Sequence, residues 1–264
     1  MAKLQQHYVG KPWGVCSPPE AFSQPIGDEP LGEVWFESAG QELPLLVKYI
    51  FTSERLSVQV HPNDEQAKAR GYANGKTECW FILEAEPGAV VGLGFRETLS
   101  REGLRQAAIE GSIENLLERK PARPGDFFFV PAGTVHAIGS GLTLVEVQQQ
   151  SDVTYRLYDY GRPRELHLDD AVAVASPDPY DPADQLQVSP GETKVLVRNP
   201  LFEVEHWVGT GLVKALEGKR RWVIPLEGNV ASGDEIAGPT ECLVIDAGAE
   251  LRAGGAARLL IASA

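Results

Sequence analysis

Cysteine, basic residues and long apolar runs are all scarce in this chain, and each shortage excludes a class of protein. The three cysteines, Cys16, Cys79 and Cys242, show no CxxC spacing and no even framework. That argues against a disulfide scaffold and for reduced thiols in a reducing compartment. Lys and Arg number 24 against 37 Asp and Glu, a formal net charge of −13. So acidic a chain is a poor sequence-independent nucleic-acid binder, which needs a basic surface. An anionic ligand would need a local cluster of Lys and Arg to offset the global field. No apolar run approaches the roughly 18 residues of a membrane span. The opening MAKLQQHYVGKPWG has no apolar h-region. The expectation is a cytoplasmic protein with no signal peptide and no membrane or nucleic-acid partner.

What is present is turn chemistry and short apolar strands. The 264 residues suffice for one large domain or one and a half, and 27 Gly with 19 Pro suggest an all-β fold rich in turns. Residues 1–43 read as loop-rich, with KPWG, SPPEAF and GDEPLGE as turn signals and EVWFES as a short strand. LPLLVKYIF, LSVQVH, ECWFILEAE, AVVGLGF, DFFFVPAG, LTLVEVQQQ and VTYRLYDYG read as strands. NDEQAKARG reads as a short helix capped by Asn63 or Asp64 and closed by Gly71. Residues 100–118 switch to helical spacing: Ser100 is a candidate N-cap, Leu104, Ala107 and Ala108 share a face, and Ser112 restarts the helix after Gly111. The Pro- and Asp-dense stretch 176–191 marks a linker. It separates a domain spanning 1–175, with the helical insertion at 100–118, from a smaller β-domain at 192–264 that carries only His206 and no Gln-x-His pair.

Two segments carry the chemistry. In LSVQVH, Leu56, Val58 and Val60 alternate with Ser57, Gln59 and His61, so one strand face is apolar and the other polar. Gly125, Pro131, Gly133 and His136 follow G-x5-P-x-G-x2-H: a strand, a turn and a histidine just beyond. Together they can bring two imidazoles and an amide oxygen to one point, as a β-barrel does for a divalent metal. Glu78 falls on the face of Trp80 and Ile82, where an inward carboxylate needs a partner such as a metal. Lys76 shares that face if the segment is extended. Glu146 alternates with Leu142 and Leu144 in an apolar run, an unusual place for a carboxylate. Ser57 shares the Gln59 and His61 face, and Lys48 sits inside an apolar strand.

These motifs, in this order, resemble the short bacterial form of the type I mannose-6-phosphate isomerases of the cupin superfamily. The resemblance runs from KPWG to about residue 175 and continues weakly beyond it. It implies a cupin jelly-roll barrel with a smaller, degenerate cupin-like C-terminal domain, and a zinc site of Gln59, His61, Glu78 and His136. Mn, Co or Ni also suit such a ligand set. It implies catalytic roles for Lys76, Glu146 and Arg156, with Lys76 and Glu146 both open as the proton-transferring base. It places Arg162 at a cationic phosphate contact; Ser57 and Lys48 are further substrate-binding candidates. The implied partner is a small sugar phosphate, mannose 6-phosphate or fructose 6-phosphate. Monomer and homodimer are both open.

Two departures matter. The first His of the usual cupin His-x-His is Gln59 here, and the following Glu lies 17 residues beyond His61, both in keeping with the isomerase branch. The longer isomerases have a His directly before the active-site Lys, where this chain has Gly75. That absence supports an alternative, a non-catalytic sugar-phosphate-binding cupin. A cupin oxygenase with a two-His, one-Glu iron site is a third reading, opposed by Gln59 and the nearby cations.

Overall fold

The computed structural model describes residues 2–22 and 29–264. The turn signal at Gly27 and Asp28 lies outside them. Among the described residues the strands form three sheets. Two face each other and enclose the barrel interior. The third, built mainly from the C-terminal residues, covers the outer face of one of them.

The seven-stranded sheet runs, by spatial neighbour, Gln185–Gln187, Asp126–Val130, Glu78–Ala85, Leu142–Gln149, Leu45–Thr52, Leu31–Glu37, Gln5–Val15. Its side chains alternate between two burial environments, as a strand requires. Val47, Tyr49, Phe51, Cys79, Phe81, Val145 and Val147 point outward into a core shared with Phe202, Val204, Trp222, Ile224 and Leu260 of the C-terminal sheet. Ile50, Trp80, Ile82, Leu142 and Leu144 point inward, where they meet Val91, Leu93 and Ile138 of the facing sheet. The outer face is therefore apolar, and so is the inner face apart from polar residues, Glu33, Lys48, Glu78 and Glu146 among them. That explains why these strands read as near-continuous hydrophobic runs.

The five-stranded sheet runs Tyr155–Tyr158, Val58–Val60, His136–Ile138, Val90–Phe95, Leu117–Pro121. Its outer face is covered by helices. Val58 and Val60 pack there with Leu104, Ala107, Ala108, Ile113 and Ala171. With Val58 and Val60 spent on the helices, Gln59 is left for the barrel interior; Leu56, ahead of the strand, departs from the expected alternation and packs into that interior. The helical insertion is Arg101–Glu110 followed by Ile113–Leu116. Ser100 caps the first helix by accepting from the Gly103 amide, and Gly111 closes it at φ 74°. The short helix Asp64–Lys68 has a reciprocal capping box between Asn63 and Gln66. A further helix, Leu168–Val174, lies in a stretch the sequence left unassigned.

The structure departs from the loop-rich reading of 1–43. Gln5–Val15 is an eleven-residue strand. Register shifts at Val9/Gly10 and Gly10/Val15 break its alternation and hide it behind the KPWG turn signal. Ala2 and Lys3 pair with Val244 and Leu243, so the N-terminal residues join the C-terminal sheet. Within 176–191, Tyr180 is buried among the barrel-interior residues and Gln185–Gln187 pairs with Asp126–Phe128. Tyr180 donates its hydroxyl proton to the carbonyl of Phe129 or of Asp184, at 2.7 and 2.8 Å. Beyond it, Arg252–Ser263 pairs with both Glu203–Leu212 and Arg221–Glu227, around a separate interior of Val223, Leu243, Leu259 and Ile261.

Candidate active site

Strand register assembles the site. In the five-stranded sheet Gln59 stands opposite His136 on one side and Arg156 on the other. In the seven-stranded sheet Glu146 stands opposite Trp80 and Lys48, and Lys48 opposite Trp35. The two rows face each other across the barrel interior. Chain segments 75 positions apart in sequence thus meet without any unusual backbone.

At the floor, His61, Glu78 and His136 are buried, with ligand atoms all within 4.8 Å of one another. His61 Nε2 lies 3.5 Å from Glu78 Oε2, and His136 Nε2 lies 3.5 Å from Glu78 Oε1. The far side of each ring is fixed: Nδ1 of His61 is 2.8 Å from the Val153 carbonyl and Nδ1 of His136 is 2.9 Å from the Thr134 carbonyl. A carbonyl only accepts, so each Nδ1 carries the proton and each Nε2 offers a lone pair toward the carboxylate. This backing orients imidazoles around metals. Burial first, and the Lys76 ammonium second, hold His61 well below its ordinary value; burial lowers His136 to about 4. Both rings are neutral at pH 7, the state a metal requires. Gln59 Nε2 is 3.2 Å from His136 Nε2, and Gln59 Oε1 accepts from Ser57 Oγ at 3.2 Å. A half-turn of the amide presents Oε1 to the imidazoles and lets Nε2 donate to Ser57, because a hydroxyl can do either. The donor set fits a divalent cation.

Above the floor a cavity of about 210 Å³ opens, lined among others by Ser57, Gln59, Lys76, Glu146, Lys48 and Arg156. Charges of alternating sign run along it. Lys11 Nζ is 3.5 Å from Glu33, Lys48 Nζ is 3.6 Å from Glu33 and 3.3 Å from Glu146, and Lys76 Nζ is 3.9 Å from Glu146. Lys76 also contacts Glu78 Oε2 and lies 3.2 Å from His61 Nε2. Trp80 Nε1 faces both acids, 3.1 Å from Glu78 Oε1 and 3.2 Å from Glu146 Oε2. Burial, then the Glu78 charge, raise the Glu146 carboxyl. Burial works against the Lys76 ammonium, but Glu146 and Glu78 outweigh it and its value is raised. The Glu33 carboxyl, which burial would raise, is held down by Lys48 and Lys11.

Nine of the ten residues expected at the site are brought together: Lys48, Ser57, Gln59, His61, Lys76, Glu78, His136, Glu146 and Arg156. Arg162 is not. Its Nη2 donates to the Arg55 carbonyl at 2.6 Å and pairs with Asp159 at 3.1 Å, and it lines a different cavity. Sequence reading missed Lys11, Trp13, Glu33, Trp35 and Arg164, all of which line the cavity. Glu33 and Trp35 carried a signal, since they alternate with the core residues Val34 and Phe36. Gly75 also gains a physical reading. A Cβ there would lie 2.5 Å from Asn63 C, 2.6 Å from Asp64 N and 2.7 Å from Pro62 O. Backbone occupies the space that a side chain before Lys76 would need.

Facing sheets with an inward His, Glu, His cluster at the base of a charged cavity define the class: a cupin barrel with a site able to hold a metal. The family profile described as "Phosphomannose isomerase type I, catalytic domain" matches residues 27–79. The mannose-6-phosphate isomerase of Streptococcus mutans is 38% identical over 226 residues, covering 78% of this chain and 71% of that protein. Mannose-6-phosphate isomerase ManA of Bacillus subtilis is 38% identical over 210 residues, 75% of this chain and 66% of that one. The crystal structure of a mannose 6-phosphate isomerase from Bacillus subtilis superposes with a TM-score of 0.84 at 28% identity, over 99% of both chains. A phosphomannose isomerase from Salmonella typhimurium shares the fold at a TM-score of 0.75 and 17% identity, over 99% of this chain and 98% of that one. The chain belongs to the type I mannose-6-phosphate isomerase family.

Proposed function

We propose that the chain is a metal-dependent aldose–ketose isomerase that interconverts mannose 6-phosphate and fructose 6-phosphate through a cis-enediol. The observation that carries this is the convergence of His61, Glu78 and His136 at the base of a cavity that also exposes Lys76 and Glu146. Gln59, His61, Glu78 and His136 hold the metal, which we assign as zinc from two imidazoles and two oxygen donors. Bound there, the cation supplies Lewis-acid stabilisation of oxygen charge that develops on the open-chain sugar.

The chain's own groups do the rest. Lys76, kept cationic by Glu146 and Glu78, faces the enediolate charge and donates to it. Glu146, held by Lys48 and Trp80 at the cavity wall, takes the C2 proton and returns it at C1. A carboxyl raised by burial is a stronger base than an ordinary one and suits that task. Arg156 balances enediolate charge, and Ser57 and Lys48 position hydroxyl groups. We assign the chemistry to residues 1–175, treat 176–191 as the connection, and give 192–264 the part of covering the barrel's outer face. The unpaired thiols of Cys16, Cys79 and Cys242 fit a reducing compartment, and we assign the cytoplasm. The test is an assay coupled to fructose 6-phosphate formation from mannose 6-phosphate, with and without chelator. Chelator-sensitive product formation is expected. Sugar phosphate that binds to metal-loaded protein but never converts would overturn the isomerase reading and leave a binding module.

A further inference from the structure

Arg156 and Arg164 both line the active cavity, yet among the described residues neither makes an ion pair with an acid of that cavity. The cavity's other cations are occupied: Lys11 and Lys48 pair with Glu33, Lys48 also with Glu146, and Lys76 with Glu78. Arg164 is braced from behind. Its Nε donates to Asp159 Oδ2 at 2.6 Å and its Nη2 to Asp159 Oδ1 at 2.8 Å. Asp159 is 2% exposed. This two-pronged contact fixes the guanidinium plane and leaves Nη1 without a protein partner among the described residues. Arg156 Nε is buried with no hydrogen-bond partner. Burial lowers the Arg156 guanidinium, and Arg164 lowers it further, so the two cations sense each other. Two guanidiniums held together with donors to spare make an anion site. Arg162 also keeps a buried Nη1 with no hydrogen-bond partner, but its Nη2 is held by Asp159 and the Arg55 carbonyl and it does not line the active cavity.

Building on the isomerase reading, we propose that Arg164 holds the phosphate monoester end of the substrate beside Arg156, with Asp159 as its positioning residue, and that Arg162 does not take that part. The Nη1 end of Arg164 is left to donate to the dianion, while Asp159 holds the Nε and Nη2 edge in place. The positive wall also answers the chain's net charge of −13, which would otherwise repel a sugar phosphate.

The experiment uses the metal-loaded full chain and reads KM and kcat for mannose 6-phosphate together with calorimetric binding of inorganic phosphate. Loss of a charge-assisted contact corresponds to about 10- to 100-fold in binding. Arg164→Ala should raise KM by that factor, weaken inorganic phosphate binding in parallel and keep kcat within about threefold. Arg164→Lys keeps the charge beside Asp159, guards against misfolding and should fall between. Asp159→Asn should show the same KM-only loss at smaller size. Arg162→Ala should change KM by about twofold at most. Wild-type KM and phosphate binding in both Arg164 variants would overturn the proposal, as would a larger loss in Arg162→Ala. A wild-type chain that binds inorganic phosphate through Arg164 but converts no sugar phosphate would sink the isomerase reading and leave the anion site standing.

Discussion

Replacing Gly75 separates two accounts of that position. If glycine is the trace of a lost catalytic histidine, a side chain there should be tolerated, and His should help. The structure says otherwise. The Ala Cβ would lie 2.5–2.7 Å from three backbone atoms of residues 62–64, against an ordinary contact of 3.4 Å or more. Relief needs a shift approaching 1 Å between two backbone segments. Overpacking of this kind costs about 1–3 kcal/mol. The shift also strains two bonds that tie the segments, Gly75 N–H to Asp64 Oδ1 at 2.8 Å and Lys76 N–H to the Pro62 carbonyl at 3.0 Å. Each contributes about 1 kcal/mol. The expected loss for Gly75→Ala is therefore about 3–5 kcal/mol, or a fall in Tm of roughly 10 °C for a chain of this size. Activity should fall at least tenfold even where the fold survives, because Pro62 follows His61 directly and Lys76 follows Gly75. A misplacement of about 1 Å at a catalytic group costs on the order of 100-fold. Thermal melts and kcat on the same preparations measure both effects. Gly75→Ala within about 0.5 kcal/mol of wild type, or Gly75→His with raised kcat, would refute the reasoning.

Trp80→Phe removes an indole N–H that faces both Glu78 and Glu146; metal affinity should drop about 10- to 100-fold, as when other outer hydrogen bonds to ligands are lost, and a metal titration reads it. Lys48→Met leaves Glu33 and Glu146 without their shared ammonium; it should destabilise the chain by about 3 kcal/mol in a denaturant titration and move the acid limb of the kcat profile to higher pH, since Lys48 normally lowers the Glu146 carboxyl. His206 stacks on Phe81 at 5.5 Å in the joint core, and burial lowers its value below the ordinary 6.5. The unfolded chain therefore binds a proton there more readily than the folded one. Its contribution is present above about pH 6.5 and is lost as pH falls below that value. His206→Phe should flatten stability against pH by up to one proton's worth of slope as pH falls below about 6.5, measured by denaturant titration.

Much of the site was legible because strand alternation is a strong constraint. Gln59 and His61 had to share a face, Glu78 had to point with Trp80 and Ile82, and Glu146 with Leu142 and Leu144; all of them do. The resemblance then joined segments whose pairing no local pattern reveals, such as His136 opposite Gln59. What escaped was of two kinds. Gln5–Val15 was hidden by its bulges and by a KPWG sequence that looks like a turn. Arg162 and Arg164 are two residues apart in one loop and both pair with Asp159, yet Arg164 lines the active cavity and Arg162 does not. A loop has no fixed period, so sequence spacing cannot make that choice.

The most direct test of the account measures metal content and turnover on the same protein, wild type and Glu78→Gln, before and after chelation. The account predicts about one divalent ion per wild-type chain and conversion of mannose 6-phosphate that is lost with the ion and regained on adding zinc. It predicts that Glu78→Gln loses both ion and turnover while remaining folded. Full conversion by metal-free protein, or by Glu78→Gln, would contradict it.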